Sequence, residues 1–309
     1  MKTKRTNFLL SVSVAILASL LTTSLQAVTI VDDDWSDGNR AKTGALDSNW
    51  WYSSNSNGIE DAVGSLGLVT GTSGRGIHTV FPTQTLAVGD ILKATYTFKT
   101  PATVGVNKGN AFKVGLFDTL GRAGLNGDIT ASSGSPNDLY GFWFTDVPGL
   151  PGYMMDMDVN TGANADLNIR RSETADNDAA FSPTGRLMGT NTGFTSLDDG
   201  PGEGFTFDPN TTYTGSFSVR RVSATQMLIG GTLGATSFQL AEDPFESASY
   251  GFLGFWANSN TFGSSSSADT ADNGIDFTNV KVELIIPEPA TLALFLGALI
   301  SFPGLVRRR

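Results

Sequence analysis

The amino-acid sequence predicts an all-β fold for the body of the chain, and three observations support this prediction. Gly, Ser, Thr, Asn and Asp recur in clusters at short intervals, as turn residues do. Between the clusters lie short runs rich in β-branched and aromatic side chains, which favour strands. No internal segment shows a sustained 3.6-residue apolar period with helix caps, so we expect little helix.

The strand candidates are numerous and the segments between them are long. In chain order they are residues 76–81, 91–100, 111–117, 139–145, 153–159, 165–171, 212–222, 227–233, 250–257 and 275–286. Low-complexity segments at residues 118–136, 175–204 and 259–272 are predicted to be surface loops. This pattern favours a two-sheet antiparallel jelly-roll sandwich, with a smaller immunoglobulin-like sandwich as the alternative.

Two segments resemble parts of a known family. Residues 213–222 and 227–233, joined by a short turn, resemble a strand pair of concanavalin A-like and LamG-like jelly rolls. Residues 274–284 resemble the final strand of such domains, which pairs near the first strand. The resemblance implies that residues 30–39, with Trp50, Trp51 and Tyr52 after them, begin that pair.

The end of the sequence has three parts in a fixed order. Pro287, Glu288 and Pro289 are followed by an apolar run over residues 290–306 and then by three arginines. At 1.5 Å per helical residue the run covers roughly 25 Å, close to the ~30 Å hydrocarbon core of a bilayer. We therefore predict a single hydrophobic helix with its arginines on the cytoplasmic side and the body outside. Pro303 inside the run favours a transient membrane contact over a durable anchor.

This order of parts resembles the PEP-CTERM sorting signal. The matching residues are Pro287, Glu288, Pro289, Arg307, Arg308 and Arg309. In that family the tail is a tag that an exosortase-type membrane protease removes in exopolysaccharide-producing Gram-negative bacteria. The resemblance implies a sorting segment at residues 287–309, an exosortase-type partner, and a body located at the cell surface or in the extracellular matrix. A plain anchor without processing is the alternative.

The start of the sequence also predicts export. Lys2, Lys4 and Arg5 precede an apolar stretch at residues 8–21, and small and polar residues follow as far as Ala27. This is the pattern of a secretory signal peptide, here residues 1–27, with a retained membrane helix as the alternative. Residues 28–286 then form one β-sandwich domain.

Composition narrows the classes of partner. The chain of 309 residues has a formal net charge of −10, and removing both ends takes away six basic residues and one acidic residue, which leaves about −15. Such a surface repels nucleic acids and anionic lipids, so we expect no nucleic-acid partner. The sequence contains no cysteine, which excludes disulfides, thiolate metal sites and cysteine nucleophiles.

The strongest catalytic candidate is the acidic segment after Met155. Asp156, Asp158 and Asn160 alternate along one strand face, as the acidic residues of jelly-roll glycosidases do. Retaining hydrolysis needs two carboxyl groups about 5–5.5 Å apart. Both glutamate positions of the glycosidase pattern are replaced here, by Asp156 and by Asn160. We therefore expect no catalytic residues and no enzyme activity.

Calcium binding is the second interpretation of this segment. Asp156, Asp158 and Asn160 begin like an EF-hand loop, but Gly162 comes one position late and Leu167 replaces the bidentate glutamate. A strand with apolar residues inward and acidic residues in solvent is the simpler interpretation. Concanavalin-like domains sometimes carry a structural calcium, so calcium elsewhere remains an open expectation. Further acidic clusters are Asp32, Asp33 and Asp34, and Asp269, Asp272 and Asp276.

The sequence contains one histidine, His78, within a predicted strand. We expect an exposed or hydrogen-bonded strand residue there, and not a catalytic base. With one histidine and no cysteine, a catalytic zinc site of the usual kind is excluded.

Aromatic residues offer a last candidate site. Trp50, Trp51, Trp143 and Trp256 lie in strand-like or loop segments, and sugar rings stack on indole through their apolar C–H faces. Trp143, between small residues, is the best candidate for a glycan-binding platform and Trp256 is the next, with burial of Trp143 in the core as the alternative. The sequence thus favours a non-catalytic protein with a structural or weak glycan-binding role toward a neutral exopolysaccharide. The alternative is a divergent glycoside hydrolase-like enzyme.

The two terminal patterns yield the first prediction. In its native host the protein should begin near Val28 and should lack the arginine segment that follows Pro289, because both ends match processing signals. Intact-mass analysis of protein recovered from the extracellular matrix measures both cuts. A full-length C-terminus in that material would contradict the prediction.

Overall fold

The computed structural model describes residues 25–52, 58–70, 74–105, 108–121, 127–128, 150–159, 167–172, 188, 194–199, 205–262 and 274–287. Within these ranges the chain forms fifteen β-strands and no helix. The strands are β1 (Leu25–Asp33), β2 (Trp50–Tyr52), β3 (Ile59–Ala62), β4 (Ser65–Leu68), β5 (Arg75–Thr85), β6 (Ile91–Lys99), β7 (Lys108–Phe117), β8 (Gly152–Val159), β9 (Leu167–Ser172), β10 (Phe194–Asp199), β11 (Thr212–Arg221), β12 (Met227–Leu233), β13 (Thr236–Glu242), β14 (Ser249–Ala257) and β15 (Ile275–Pro287).

The strands form two sheets. The eight-stranded sheet has the order β13-β12-β11-β6-β15-β4-β3, and β1 pairs with β15 beside this path. The seven-stranded sheet has the order β10-β9-β8-β7-β14-β5-β2. Neighbouring strands pair antiparallel, as in β11 with β6 and β14 with β7. The predicted all-β, two-sheet antiparallel architecture is confirmed.

The main hydrophobic core lies between the two sheets. Along β6, side chains alternate between partly exposed and buried positions, so that Tyr96 and Phe98 point inward. The ring of Phe98 lies 5.0 Å from that of Phe112 in the opposite sheet, and Phe255 lies 4.7 Å from Phe277. Burying a Phe side chain contributes about 1.5–3 kcal/mol, so these contacts between the sheets dominate the stability of the sandwich.

Most predicted strands are confirmed. The differences between prediction and structure concern short strands. The predicted strand pair of residues 213–222 and 227–233 exists as the antiparallel pair β11–β12, and β15 pairs with β1 as expected. The prediction that Trp50, Trp51 and Tyr52 belong beside β1 is wrong, because they form β2, which pairs with β5 in the other sheet. Strand β10 lies within a segment predicted as loop, and the short strands β3, β4 and β13 were not predicted.

Several predictions fall outside the described residues. These are the strand at residues 139–145, residues 1–24 of the signal peptide, and the sorting segment from Glu288 onward; Pro287 is the last residue of β15. The chain divides into two compact units, one of which is Thr29–Leu284 and holds the sandwich, while the other consists of the two chain ends. The residues that the structure describes include no helix long and apolar enough to cross a membrane.

A buried polar network joins the two sheets at one edge. The Tyr153 hydroxyl, on β8, donates a hydrogen bond to the carboxylate of Glu242, on β13. Arg171, on β9, donates from Nη1 to the other Glu242 oxygen over 2.7 Å. Burial raises the pKa of the Tyr153 hydroxyl, and its acceptor Glu242 raises it further. The network thus holds a buried carboxylate with two donors.

A second buried tyrosine has no such partner. Tyr96 is fully buried and its ring lies edge-on to Phe255 at 5.2 Å. Its hydroxyl has no hydrogen-bond partner among the described residues, and burial raises its pKa. Gly215, directly across in β11, leaves room for this hydroxyl, because a Cβ there would lie 2.6 Å from it.

The two tyrosines provide a matched pair of variants. Tyr96→Phe removes an unsatisfied hydroxyl, so the free energy of unfolding should stay the same or rise by up to about 1 kcal/mol. Tyr153→Phe removes a donor to a buried carboxylate and should lower it by about 1–3 kcal/mol. Urea unfolding followed by circular dichroism measures both. Equal losses in the two variants would contradict this assignment.

Candidate functional site

The candidate site is the outer face of the seven-stranded sheet, the side that points away from the core. Because side chains alternate along a strand, Met155 and Met157 of β8 enter the core, while Met154 and Asp156 lie on the outer face. The strand registers place the following further residues on this face: Trp51, His78, Lys113, Phe117, Asn168, Arg170, Ser172, Phe194, Phe252 and Trp256.

A continuous row of aromatic rings crosses the outer face. The aromatic row consists of Trp51, His78, Phe252, Phe117 and Phe194, with successive ring centroids 5.7, 5.1, 5.9 and 6.3 Å apart. His78 is stacked on Phe252 at an interplanar angle of 14°. The three inner rings are buried, whereas Trp51 and Phe194 at the two ends are partly exposed. The row is therefore open to solvent only at its ends.

Small side chains allow the row to reach the edge of the sheet. Gly152 on β8 and Ser172 on β9 lie between Phe117 and Phe194 in the cross-strand register. Neither carries a bulky side chain, so the two rings meet above them, edge to face at 6.3 Å.

A buried ionic cluster lies on the same face as the aromatic row. The ionic cluster consists of Lys113, Asp156 and Arg170, on β7, β8 and β9. Arg170 Nε donates to Asp156 Oδ2 over 2.9 Å, and Lys113 Nζ lies 3.7 Å from Asp156 Oδ1, an ion pair too long for a hydrogen bond. Lys113 is 0% exposed and Asp156 is 1% exposed. Burying such charges is costly, so the cluster is an uncommon feature for a face outside the main core.

The ammonium group of Lys113 has a perturbed pKa. Burial lowers the pKa to about 8, and the positive charge of Arg170 adds to the lowering. The negative charges of Asp156 and Asp158 act in the opposite direction. Perturbed groups of this kind concentrate at functional sites, although structural ion networks show them as well.

Two buried oxygens on the outer face lack a hydrogen-bond partner among the described residues. They are Asp156 Oδ1 and Ser172 Oγ. Buried polar atoms are nearly always hydrogen-bonded, so each of these two separate positions is a place for an ordered water or a ligand hydroxyl. Close by, Asn168 accepts a hydrogen bond from the Ser196 hydroxyl at 3.3 Å.

The structure corrects the interpretation of the acidic segment. Asp156 faces away from the core, as alternation predicts, but the expectation of a solvated carboxylate is wrong because Lys113 and Arg170 enclose it. Asp158 is partly buried, and Asn160 lies outside the described residues. Asp156 is instead engaged by two cationic groups.

The expectation of an exposed His78 is also wrong. Its ring is fully buried between Trp51 and Phe252. The single histidine is thus part of the aromatic row, which sequence reasoning could not detect because Trp51 and Phe252 are remote from it in the chain.

The structure places the candidate glycan-binding tryptophans in different surroundings. Trp256 is on the outer face but 4% exposed, packed in an apolar cluster with Met154 and Phe252, so it presents no open ring. Trp143 lies outside the described residues. Trp50 is in the core and donates from Nε1 to Asp33 over 2.8 Å. Trp51, which is one of the four candidate tryptophans but not one of the two preferred, is the partly exposed ring. The alternation along Trp50, Trp51 and Tyr52 is the sequence signal that points to it.

The acidic residues predicted as possible calcium ligands have other partners where the structure describes them. The described residues contain no group of three or more His, Cys, Asp or Glu side chains placed to hold a metal. Asp156 is occupied by cationic groups, and the Asp33 carboxylate accepts hydrogen bonds from Trp50 Nε1 and from the backbone N–H groups of Trp35 and Ser48. Burial raises the pKa of Asp33 despite these donors. A structural calcium elsewhere stays a prediction.

Of the comparisons with known proteins, only the one with solved structures found similar chains. No family model and no curated protein matches the chain. The carbohydrate recognition domain of Emp46p is 10% identical, with 75% of this chain and 87% of that one covered and a TM-score of 0.42. An endo-1,3-β-glucanase from Streptomyces sioyaensis is 12% identical, with 84% and 96% covered and a TM-score of 0.43. Lectin I-B4 from Griffonia simplicifolia is 10% identical, with 82% and 99% covered and a TM-score of 0.41. Likenesses this low assign no ligand or activity to this chain.

The ionic cluster yields a prediction about pH. Folding lowers the pKa of Lys113 from 10.5 to about 8, so between these values the unfolded chain binds more protons than the folded one. Stability from this group therefore rises with pH across that window. Lys113→Met, which removes the titrating group, should lack this rise.

Urea unfolding of the parent and of Lys113→Met at intervals from pH 7 to pH 10 measures the effect. The difference in unfolding free energy should shift in favour of the parent as pH increases. Lys42→Met, at an exposed position, is the matched control for loss of a lysine. A difference between parent and Lys113→Met that stays constant would show that Lys113 does not titrate in this window.

Proposed function

We propose that this chain is an exported, non-catalytic component of the cell surface or extracellular matrix. Its body would be a concanavalin-like jelly roll with a structural or weak glycan-binding role, and the outer face of the seven-stranded sheet would bind the polysaccharide. The observation that carries the proposal is the partly exposed ring of Trp51 at one end of the aromatic row.

The chemistry of the face suits a carbohydrate. Sugars combine apolar C–H faces, which stack on rings, with hydroxyl groups that donate and accept hydrogen bonds. Trp51 offers a partly exposed ring at one end of the aromatic row. Asp156 Oδ1 accepts and Ser172 Oγ both donates and accepts. One face thus supplies both kinds of contact.

Charge favours a neutral polymer. The predicted mature body carries a net charge of about −15, which repels anionic polysaccharides at low salt. On the outer face the positive charges of Lys113 and Arg170 are offset by Asp156 and Asp158. Stacking on one or two rings gives weak binding per site, and many copies held in a matrix would compensate through multivalency.

The terminal sequence patterns support the proposed location. The signal-peptide pattern of residues 1–27 and the sorting pattern of residues 287–309 both direct a protein out of the cytoplasm. An exosortase-type protease and, transiently, the membrane would then be partners of the chain ends, while the polysaccharide would be the partner of the body.

A divergent glycoside hydrolase-like enzyme is the second candidate function. The observation that favours it is the position of Asp156 and Asp158 on the outer face of β8, in a buried, charged setting. Against it stands the engagement of Asp156 by Lys113 and Arg170. Release of reducing ends from a neutral glucan, abolished by Asp156→Ala, would support this candidate.

The glycan-binding proposal predicts the behaviour of Trp51→Ala. The purified full chain, in a mild detergent, should be retarded in native gels that contain neutral glucans. Loss of one stacking ring should weaken this retardation roughly 3- to 10-fold, as expected for about 0.5–1.5 kcal/mol. Trp143→Ala tests the ring predicted from sequence in the same gels. Phe245→Ala is the matched control, because Phe245 is partly buried, lies over Arg221 and is remote from the outer face.

The outcomes separate the candidates. Retardation of the parent and of Phe245→Ala, with loss in Trp51→Ala, supports binding through the outer face. Equal retardation of all variants would show that the polysaccharide binds to another surface of the protein. Migration of the folded parent at the rate seen in gels without polymer would leave a purely structural role.

A further inference from the structure

The three-residue strand β2 holds Trp51 at the edge of the seven-stranded sheet. An edge strand exposes backbone N–H groups that have no neighbouring strand to accept them. In β2 both outward N–H groups are nevertheless satisfied. Trp50 N–H donates to the Arg40 carbonyl over 2.9 Å, and Tyr52 N–H donates to Asp128 Oδ1 over 2.9 Å. These bonds flank Trp51 on both sides.

Arg40 and Asp128 are themselves joined. Arg40 Nη1 donates to Asp128 Oδ1 and Nη2 donates to Oδ2, each over 2.8 Å, which is the bidentate geometry of a strong guanidinium–carboxylate pair. Arg40 therefore holds β2 twice, through its own carbonyl and through Asp128. The two residues come from different connections, Arg40 from that between β1 and β2 and Asp128 from that between β7 and β8.

The surrounding charges stabilise the pair in its ionised form. Burial opposes the ionisation of Asp128, but hydrogen bonds from Arg40 and from the Tyr52 N–H outweigh it and lower the Asp128 pKa. The Arg40 pKa is raised mainly by the hydrogen bond to Asp128. Asp61 and His78 are the other titratable groups whose charges act on this pair.

We propose that Arg40 and Asp128 form a clamp that positions Trp51 for stacking on a sugar ring. The inference rests on the proposed glycan-binding function of the outer face. Arg40 and Asp128 are positioning residues, because they act through the backbone of β2. The clamp replaces the missing neighbour strand, and without it β2 is held by its register with β5 and by its side chains.

The Arg40–Asp128 pair should contribute little to the overall stability of the fold. Both side chains are about one-third exposed, at 34% and 35%, and surface ion pairs contribute only about 0–1 kcal/mol to folding. β2 is otherwise held by its pairing with β5 and by the buried side chains of Trp50 and Tyr52. Loss of the clamp should therefore leave the sandwich folded and change the setting of Trp51 without detaching β2.

The first arm of the test needs no ligand. The full chain labelled with 5-fluorotryptophan contains five tryptophans, and Trp51→Phe assigns the Trp51 signal in the ¹⁹F NMR spectrum. Asp128→Ala and Arg40→Ala should each shift or broaden this signal and leave that of Trp256 unchanged. Asp128→Asn retains an acceptor for the Tyr52 N–H and should restore most of the parent signal.

The second arm measures binding. Asp128→Ala and Arg40→Ala should weaken retardation in neutral glucan gels at least threefold, with no further loss in the double variant, because both changes open one clamp. Glu283→Ala is the matched control, since it breaks the Lys281–Glu283 pair of 2.8 Å on the other sheet. It should leave the Trp51 signal and the binding unchanged, with a similar small change in the urea midpoint.

The two arms distinguish failure of the clamp from failure of the proposed function. An unchanged Trp51 signal in Asp128→Ala and Arg40→Ala would overturn the clamp. A shifted signal with unchanged retardation would show that the clamp fixes Trp51 but that Trp51 does not set binding, which overturns the positioning role. If the parent itself is not retarded, the glycan-binding function is wrong, and with it the positioning role, whereas the NMR arm still decides whether the clamp exists.

Discussion

The aromatic contacts between the two sheets are the interaction on which the rest of the structure depends. Tyr96 and Phe98 from the eight-stranded sheet contact Phe112 and Phe255 from the seven-stranded sheet at centroid distances of 5.0–5.7 Å. Within β6 the rings of Tyr96 and Phe98 are stacked 6.4 Å apart. The chain has no cysteine, so no disulfide shares this task. Apolar burial must therefore fix the distance between the sheets, and the period of two along each strand then decides which side chains are left for the outer face.

That constraint explains why the residues of the candidate site occupy every second position. In β8 the core takes Met155 and Met157, which leaves Asp156 for the outer face, and in β2 it takes Trp50 and Tyr52, which leaves Trp51. A shift of one residue in either strand would exchange the two sets, and in β8 it would place a carboxylate in the core. The register that builds the sandwich is consequently the same register that assembles the aromatic row and the ionic cluster.

How far the sequence predicts the structure depends on the range of the interaction. The alternation in β6 and the turn between β11 and β12 are local, so these elements were predicted nearly to the residue. The burial of His78 and Asp156 was not predicted, because it depends on Trp51, Phe252, Lys113 and Arg170, which come from other strands. Strand β2 was assigned to the wrong sheet for the same reason, since three residues contain too little pattern to specify a partner strand.

Folding stability alone does not account for the buried charges of the outer face. Replacing a buried ion pair by apolar residues of similar volume is often neutral or stabilising, so folding alone does not require Lys113 and Asp156 at these positions. What the pair does supply is orientation: Arg170 holds one Asp156 oxygen at 2.9 Å, and the other remains without a hydrogen-bond donor among the described residues. A carboxylate fixed in this way is prepared to accept a hydrogen bond without further loss of side-chain entropy. Trp51 is fixed by the same logic from the backbone side, and the outer face therefore combines two elements whose geometry is set before any ligand arrives.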